Sequence, residues 1–196
     1  MKILGVTGNI GSGKSLFCSY LQAYGAKLFN ADQVAKNLMS QDPRLIAQIR
    51  LVFGEEAYHH DGSLNRSWLA EQAFNRGRVD ELNAIVHPAV DRETQHQVQQ
   101  ARETGCPLFV KEAALLLNEG RPAELDYVVW IQSALQDRIL RVVKRDQSNP
   151  NSVLERDEKQ KKLAELAPLI DEIVINDGTP TELRAKAEKL YAKLVG

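Results

Sequence analysis

Five short runs rich in apolar residues alternate along the chain with longer stretches in which apolar residues recur at helical spacing. The runs cover residues 3–6, 25–30, 107–111, 127–131 and 173–176. The third and fourth are almost continuously apolar, as expected of strands covered on both faces, and such strands belong to parallel sheets. The alternation of strands and helices therefore predicts an α/β fold with a five-stranded parallel sheet.

Helical spacing predicts the elements between these strands. Five predicted helical regions have bounds, and these are 33–39, 44–53, parts of 64–86, 88–103 and 153–166. Three more helices are predicted to begin after residues 14, 133 and 179. Three of these helix starts are predicted from specific residues. Pro88 is expected at the first position of its helix, Ser133 and Gln136 form a capping-box pattern, and Thr179 with Glu182 forms another.

A glycine-rich segment connects the first strand to the first helix. Residues 8–15 have the sequence Gly-Asn-Ile-Gly-Ser-Gly-Lys-Ser. A strand that leads through such a turn into a helix aims backbone N–H groups and the positive end of the helix dipole at one point. This pattern predicts a phosphate-binding loop, in which Lys14 reaches the outer phosphates and Ser15 is a ligand of Mg²⁺. The alternative is a glycine-rich turn with a solvated lysine.

The predicted nucleotide site contains the loop and the start of its helix. The expected ATP-binding residues there are Asn9, Ile10, Gly11, Ser12, Gly13, Lys14, Ser15 and Leu16. ATP and Mg²⁺ are the cofactors that this assignment implies.

Two acidic residues follow predicted strands and are candidates for the same crevice, because open α/β sheets place their ligands at the carboxyl ends of strands. Asp32 comes 18 residues after Lys14 at the end of the second strand. Glu112 ends the third strand and can lie in the water shell of the metal. Each also has a structural alternative, since Asp32 can cap the next helix and Glu112 the next turn.

Arg138, Arg141 and Arg145 fall on one stripe of the helix after residue 133. Such a stripe is often a solvated face, but guanidinium groups also suit a chain that binds polyphosphate. Both interpretations stay open. The charged, weakly apolar helix predicted over 153–166 has few core positions and suits an arm that closes over the ligand, and we expect a lid over 140–162.

Composition narrows the class of protein. The chain of 196 residues has 25 Lys plus Arg and 26 Asp plus Glu, so no strong field favours nucleic acid. Two cysteines indicate reduced thiols in a cytoplasmic protein. No apolar run approaches the length of a membrane span, and His59, His60 and His96 lack the ligand spacing of a metal site, so no zinc is expected. We expect one domain over 1–196, without nucleic-acid or membrane partners, as a monomer or weak homo-oligomer.

Motifs absent from the chain disfavour two large classes of P-loop protein. No N-K-x-D guanine-binding tetrad occurs, which disfavours a regulatory GTPase. Residues 110–112 match poorly the aspartate after four apolar residues that is typical of helicase or transport ATPases. The small kinases of the three-layer P-loop sandwich remain.

Besides the loop, the chain contains, in this order, Ala31-Asp32, His87-Pro88, Leu115-Leu116, Arg141 with Arg145, Arg156 with Gln160, and residues 176–178. In this set of residues it resembles, along nearly its full length, the dephospho-CoA kinase family. The loop is shared with many kinases, but the ordered set is specific.

The resemblance implies transfer of the γ-phosphoryl group of ATP to the ribose 3′-hydroxyl of dephospho-CoA, the last step of coenzyme A synthesis. Asp32 falls at the position of the general base, and Lys14, Arg141 and Arg145 complete the expected catalytic set. The insertion over 55–90 is expected to bind the acceptor. Further expected acceptor contacts are Arg78, His87 and Glu112, and Asn176 and Gly178 are expected to hold adenine.

The chain also departs from the family pattern. Asn30 stands where an aspartate is usual, and Ala114 and Asn118 replace a proline and a glutamate. A nucleotide-binding regulatory protein without transfer activity is one alternative, which the retained Asp32 disfavours. Another small-molecule or nucleotide kinase is the second alternative.

Overall fold

The computed structural model describes residues 1–158, 160 and 163–196. Its five strands form one parallel sheet in the order β2-β3-β1-β4-β5. Their bounds are β1 Lys2–Thr7, β2 Lys27–Asn30, β3 Leu108–Glu112, β4 Tyr127–Gln132 and β5 Glu172–Ile175. The predicted α/β class and five-stranded parallel sheet are confirmed.

The helices follow the predicted order, with several changes at their ends. Their bounds are α1 Lys14–Ala23, α2 Ala31–Gln41, α3 Pro43–Phe53, α4 Arg66–Ala70, α5 Val79–Glu103, α6 Leu135–Asp146, α7 Pro150–Glu158, α8 Leu163–Leu166 and α9 Pro180–Val195. The predicted helix over 153–166 corresponds to α7 and α8. Residues 159, 161 and 162, which belong to the predicted lid, lie outside the described residues.

The chain divides into two compact units. The first comprises Met1–Asn30 and Gln100–Gly196, and the second comprises Ala31–Gln99. In the first unit β1 lies between β3 and β4, and α1 packs against α9. The core of this unit includes Leu4, Val6, Phe17, Leu21, Val129, Ile131 and Leu183, all at most 1% exposed. This core fixes the end of β1 and the start of α1, which delimit the loop.

The second unit contains α2, α3, α4 and most of α5, and with them the segment 55–90. The Tyr58 hydroxyl donates to the carbonyl of Met39 at 2.7 Å and connects the segment to α2. The guanidinium of Arg78 lies 4.5 Å from the centre of the Phe53 ring. These contacts pack the segment against the helices that precede it.

The predicted helix start at Pro88 is wrong. Pro88 lies inside α5, which runs continuously from Val79 to Glu103. A proline within a helix removes the bond to the carbonyl four residues earlier, here that of Ala84. Pro88 and Ala84 are both exposed, so water can solvate that carbonyl, while Val86, Ala89 and Val90 form a buried face across the proline.

The predicted capping box at Ser133 is also wrong. The N-cap of α6 is Ala134, which makes no side-chain cap. The Ser133 hydroxyl instead accepts a hydrogen bond from Nη1 of Arg141 at 3.0 Å. The serine oxygen that the local pattern predicted would cap the helix is therefore bonded to the side chain of Arg141 instead.

Over the described part of the chain, none of the helices has the length and apolar character needed to cross a membrane.

Candidate active site

The glycine-rich loop lies between the end of β1 and the first residue of α1. Gly13 is the N-cap of α1 in the left-handed conformation (φ 96°, ψ 17°). At Gly11 (φ 77°) a side-chain Cβ would stand 2.6 Å from the backbone oxygen of Arg138, so only glycine fits against α6. The loop thus packs its outer turn against α6 and presents its N–H groups at a helix N-terminus, which is an anion-binding geometry.

Lys14 folds back over this loop. Its Nζ donates to the carbonyl of Gly8 at 2.8 Å and to that of Asn9 at 3.1 Å. These bonds hold the ammonium group against the first two residues of the loop. A positive charge held there favours the terminal phosphates of a bound nucleotide.

Ser15 is joined to Glu112, at the end of a neighbouring strand. Its hydroxyl donates to Glu112 Oε1 at 2.7 Å, and the Asn30 amide donates to Oε2 at 2.9 Å. Glu112 is only 4% exposed. Within the described residues the Glu112 carboxylate bonds to side chains of α1 and β2, so the structure gives no support to its capping the following turn.

This arrangement suits Mg²⁺ held mainly by phosphate and water. Among the described residues no group of three or more His, Cys, Asp or Glu side chains converges on one point. Mg²⁺ in phosphoryl-transfer sites uses one or two protein oxygens and keeps several waters. The Ser15 oxygen, with the Glu112 carboxylate directly behind it, provides that donor set.

Asn176, the residue after β5, is hydrogen-bonded to the loop. It is 7% exposed, and its Nδ2 donates to the carbonyl of Ser12 at 2.8 Å. The backbone carbonyl of Asn176 accepts a hydrogen bond from Nη2 of Arg141 at 3.1 Å. The side chain expected to hold adenine is therefore bonded to the loop in this structure, while Gly178 lies exposed two residues further on.

The three arginines of α6 occupy different environments, so neither interpretation covers the whole stripe. Arg138 is 8% exposed, and Arg141 is half-buried beside Ser133 and Asn176. The side chain of Arg145 is 65% exposed and pairs with Asp146 at 2.6 Å. Hydrogen bonding to Arg145 lowers the pKa of Asp146. The expected catalytic role of Arg145 stays a prediction.

The buried position of Arg138 was missed, although the sequence carries a signal for it. Arg138 lies three residues after Leu135 and four before Val142, which places it on the apolar side of α6. It donates to the carbonyls of Ser133 at 3.1 Å and Ile10 at 3.3 Å.

The Ser12 hydroxyl is 1% exposed and has no hydrogen-bond partner within the described residues. It borders a cavity of about 130 Å³ beside β4 and α6. The volume is sufficient for water, which buried hydroxyl groups commonly bind.

The remaining expected site residues lie in the second unit. Asp32 is the second residue of α2, inside its first turn, and so is not the residue that precedes the helix. Arg78 donates to both oxygens of Glu81 at 2.8 Å and to the carbonyl of Val52 at 2.9 Å. Hydrogen bonding to Arg78 lowers the pKa of Glu81. His87 lies exposed on α5. The functional roles of Asp32, Arg78 and His87 stay predictions.

Comparison with solved structures identifies similar folds. A Thermus thermophilus protein superposes with a TM-score of 0.84 and 28% identity, covering 100% of this chain and 98% of that one. Dephospho-CoA kinase from Campylobacter jejuni superposes with a TM-score of 0.64 at 22% identity, covering 99% and 97%. Shikimate kinase from Acinetobacter baumannii shares the fold with a TM-score of 0.52 at 15% identity, covering 98% and 94%.

Sequence comparison is more specific. A dephospho-CoA kinase from Salinibacter ruber is 41% identical over 197 residues, covering 100% of this chain and 99% of that protein. One from Chlorobium chlorochromatii is 37% identical, covering 98% and 93%. The family model for dephospho-CoA kinase matches residues 2–182. The chain belongs to the dephospho-CoA kinase family.

Proposed function

We propose that the protein transfers the γ-phosphoryl group of Mg²⁺-ATP to the ribose 3′-hydroxyl of dephospho-CoA, which completes coenzyme A. Family membership over residues 2–182 carries this proposal. The complete loop, with Lys14 at its mouth and Ser15 bonded to Glu112, supports the donor half of the reaction.

On the donor side, the loop binds the phosphates through its backbone N–H groups and through Lys14. Bound Mg²⁺ would neutralise charge on the phosphates. Because the Ser15 hydroxyl donates a hydrogen bond to Glu112, the lone pairs of its oxygen point elsewhere and one is available to the metal. The buried Glu112 thus orients Ser15 from behind.

On the acceptor side, Asp32 accepts the proton of the ribose hydroxyl and orients that oxygen for attack. Positioning contributes more than basicity in phosphoryl transfer. Arg78 and His87 belong to the acceptor site, with the segment 55–90 as the acceptor-binding region. The half-buried Trp68 and the exposed Phe74 of that segment suit the pantetheine arm, whereas Leu69 is buried and packs inside the segment.

Segment 140–162 acts as a lid, from which Arg141 and Arg145 contact the phosphates. Asn176 and Gly178 hold the adenine side of ATP.

The protein acts in the cytoplasm as a monomer or weak homo-oligomer, without nucleic-acid or membrane partners. The formal net charge of −1 and the free thiols of Cys18 and Cys106 support this setting.

A purified-enzyme assay tests the proposal. The protein is incubated with Mg²⁺-ATP and dephospho-CoA, AMP, CMP, dTMP, shikimate or gluconate, and each product is followed by mass. We expect kcat/KM for dephospho-CoA to exceed that for any other acceptor by about 10³-fold or more, as expected of a site with polar groups that match its substrate. Efficient phosphorylation of a nucleoside monophosphate, with dephospho-CoA inert, would favour the other kinase alternative.

A further inference from the structure

Arg138 connects three parts of the first unit through one buried guanidinium. Nε donates to the carbonyl of Ser133 at 3.1 Å, and Nη1 donates to the carbonyl of Ile10 at 3.3 Å. The same guanidinium forms a bidentate salt bridge with the carboxylate of Asp157, in which Nη1 contacts Oδ1 and Nη2 lies 3.3 Å from Oδ2. The start of α6, the loop and α7 therefore meet at this side chain.

The pair is shielded from water. The Arg138 side chain is 10% exposed and that of Asp157 is 20% exposed. A guanidinium is planar and rigid, so groups bonded to its two sides are held in a fixed relation. Movement of Asp157 relative to Ile10 must break at least one of these bonds or turn the buried arginine.

Both backbone polar groups of Ile10 are bonded, one to a residue of α6 and the other to a residue that follows α7. Its carbonyl accepts from Arg138, and its N–H donates to Gln160 Oε1 at 2.8 Å. The N–H groups of a phosphate loop are the donors that a bound nucleotide uses. The carboxamide oxygen of Gln160 thus accepts from a donor that suits a phosphate oxygen.

We propose that Arg138 is a positioning residue which, through Asp157, couples nucleotide binding at the Ile10 peptide to the placement of helix α7. The proposal rests on the proposed function only in that ATP is the ligand of the loop. When a phosphate oxygen accepts from Ile10 N–H, it replaces Gln160. The Arg138–Asp157 pair then becomes the connection that keeps α7 in place on the loop.

The test measures this coupling directly. Hydrogen exchange is followed over 8–15 and 150–158 with and without a non-hydrolysable ATP analogue, and the analogue's Kd is measured on the same protein. In the parent chain both segments are expected to gain protection. In Asp157→Asn, segment 8–15 is still protected, segment 150–158 is not, and Kd rises about fivefold or more, the lower end of typical coupling between sites. Arg138→Lys, which keeps the charge but loses the planar fork, is expected to behave alike.

Glu124→Gln is the matched control. It breaks another pair of the first unit, between Glu124 and Lys111 at 3.0 Å, in which the lysine side chain is 8% exposed. This variant is expected to retain the protection of both segments and the parental Kd. Equal loss in Glu124→Gln and Asp157→Asn would mean that any buried ion pair has this effect, and would overturn the proposal.

A second variant separates coupling from stability. Replacing a buried ion pair with apolar residues often preserves or raises stability. Arg138→Met with Asp157→Leu is therefore expected to recover the parental Tm but not the protection of 150–158. The proposal is overturned, and Arg138 is structural only, if this variant or Asp157→Asn gains protection over 150–158 on binding the analogue and binds it within twofold of the parental Kd. Absence of protection over 8–15 in the parent chain would instead refute ATP binding at the loop, and the coupling with it.

Discussion

Gly13→Ala tests the contact between the loop and Asn176, the residue after β5. Gly13 has φ +96°, where alanine costs about 1–2 kcal/mol relative to its preferred conformations. A Cβ there would stand 2.3 Å from Nδ2 of Asn176, so the amide must move and lose its bond to the Ser12 carbonyl. A buried carbonyl without a partner costs about 1–3 kcal/mol. Together the variant is expected to lose about 2–5 kcal/mol of unfolding free energy.

For a chain of this length each kcal/mol lowers Tm by about 2–4 °C, so the expected fall is roughly 4–20 °C by calorimetry. A double-mutant cycle identifies the cause. Asn176→Ala alone also leaves the Ser12 carbonyl without its donor and should cost about 1–3 kcal/mol. In the Gly13→Ala background the same change should add less than about 1 kcal/mol, because the bond is already broken. Additive losses would refute the proposed clash.

Three further variants test other groups. Lys14→Ala should lower kcat/KM by about 10²-fold or more, because it removes a cation beside the transferring phosphate, and an unchanged rate would contradict the assignment of the loop. Asp32→Asn keeps the size but loses the charge, so single-turnover transfer should slow markedly, whereas an unchanged rate leaves Asp32 without a role in transfer. Burial raises the pKa of Glu124, but the hydrogen bond from Lys111, a hydrogen bond from its own backbone N–H and the charge of Lys111 together outweigh burial and lower the pKa below its usual value. This carboxylate therefore stabilises the fold above its unfolded pKa and loses that effect as the pH falls through its folded pKa. The stability difference between the parent chain and Glu124→Gln should shrink as the pH falls below about 5, just above the usual glutamate pKa, and a constant difference would contradict the ion pair.

Elements governed by local sequence were predictable. The apolar runs locate all five strands, since burial on both faces requires such runs. The capping box of Thr179 and Glu182 is present at the start of α9, with Pro180 as its first residue. The glycine pattern of 8–15 identifies the loop, because its backbone conformations exclude side chains.

Features that depend on distant partners were not predictable. Ser133 serves Arg141 rather than its own helix, and α5 continues through Pro88 because its buried face lies on the other side. The contacts of Glu112 with Ser15 and of Asn176 with Ser12 join residues 97 and 164 positions apart. Periodicity shows which face of an element is buried, but not which groups meet there.

The most direct test of the central claim is the ³¹P spectrum of the product formed from Mg²⁺-ATP and dephospho-CoA. Transfer to the ribose 3′-hydroxyl predicts one new phosphomonoester signal coupled to the ribose H3′ proton, formed in equal amount to ADP. Release of inorganic phosphate alone, formation of AMP, or a phosphomonoester coupled to another position of the acceptor would contradict the account.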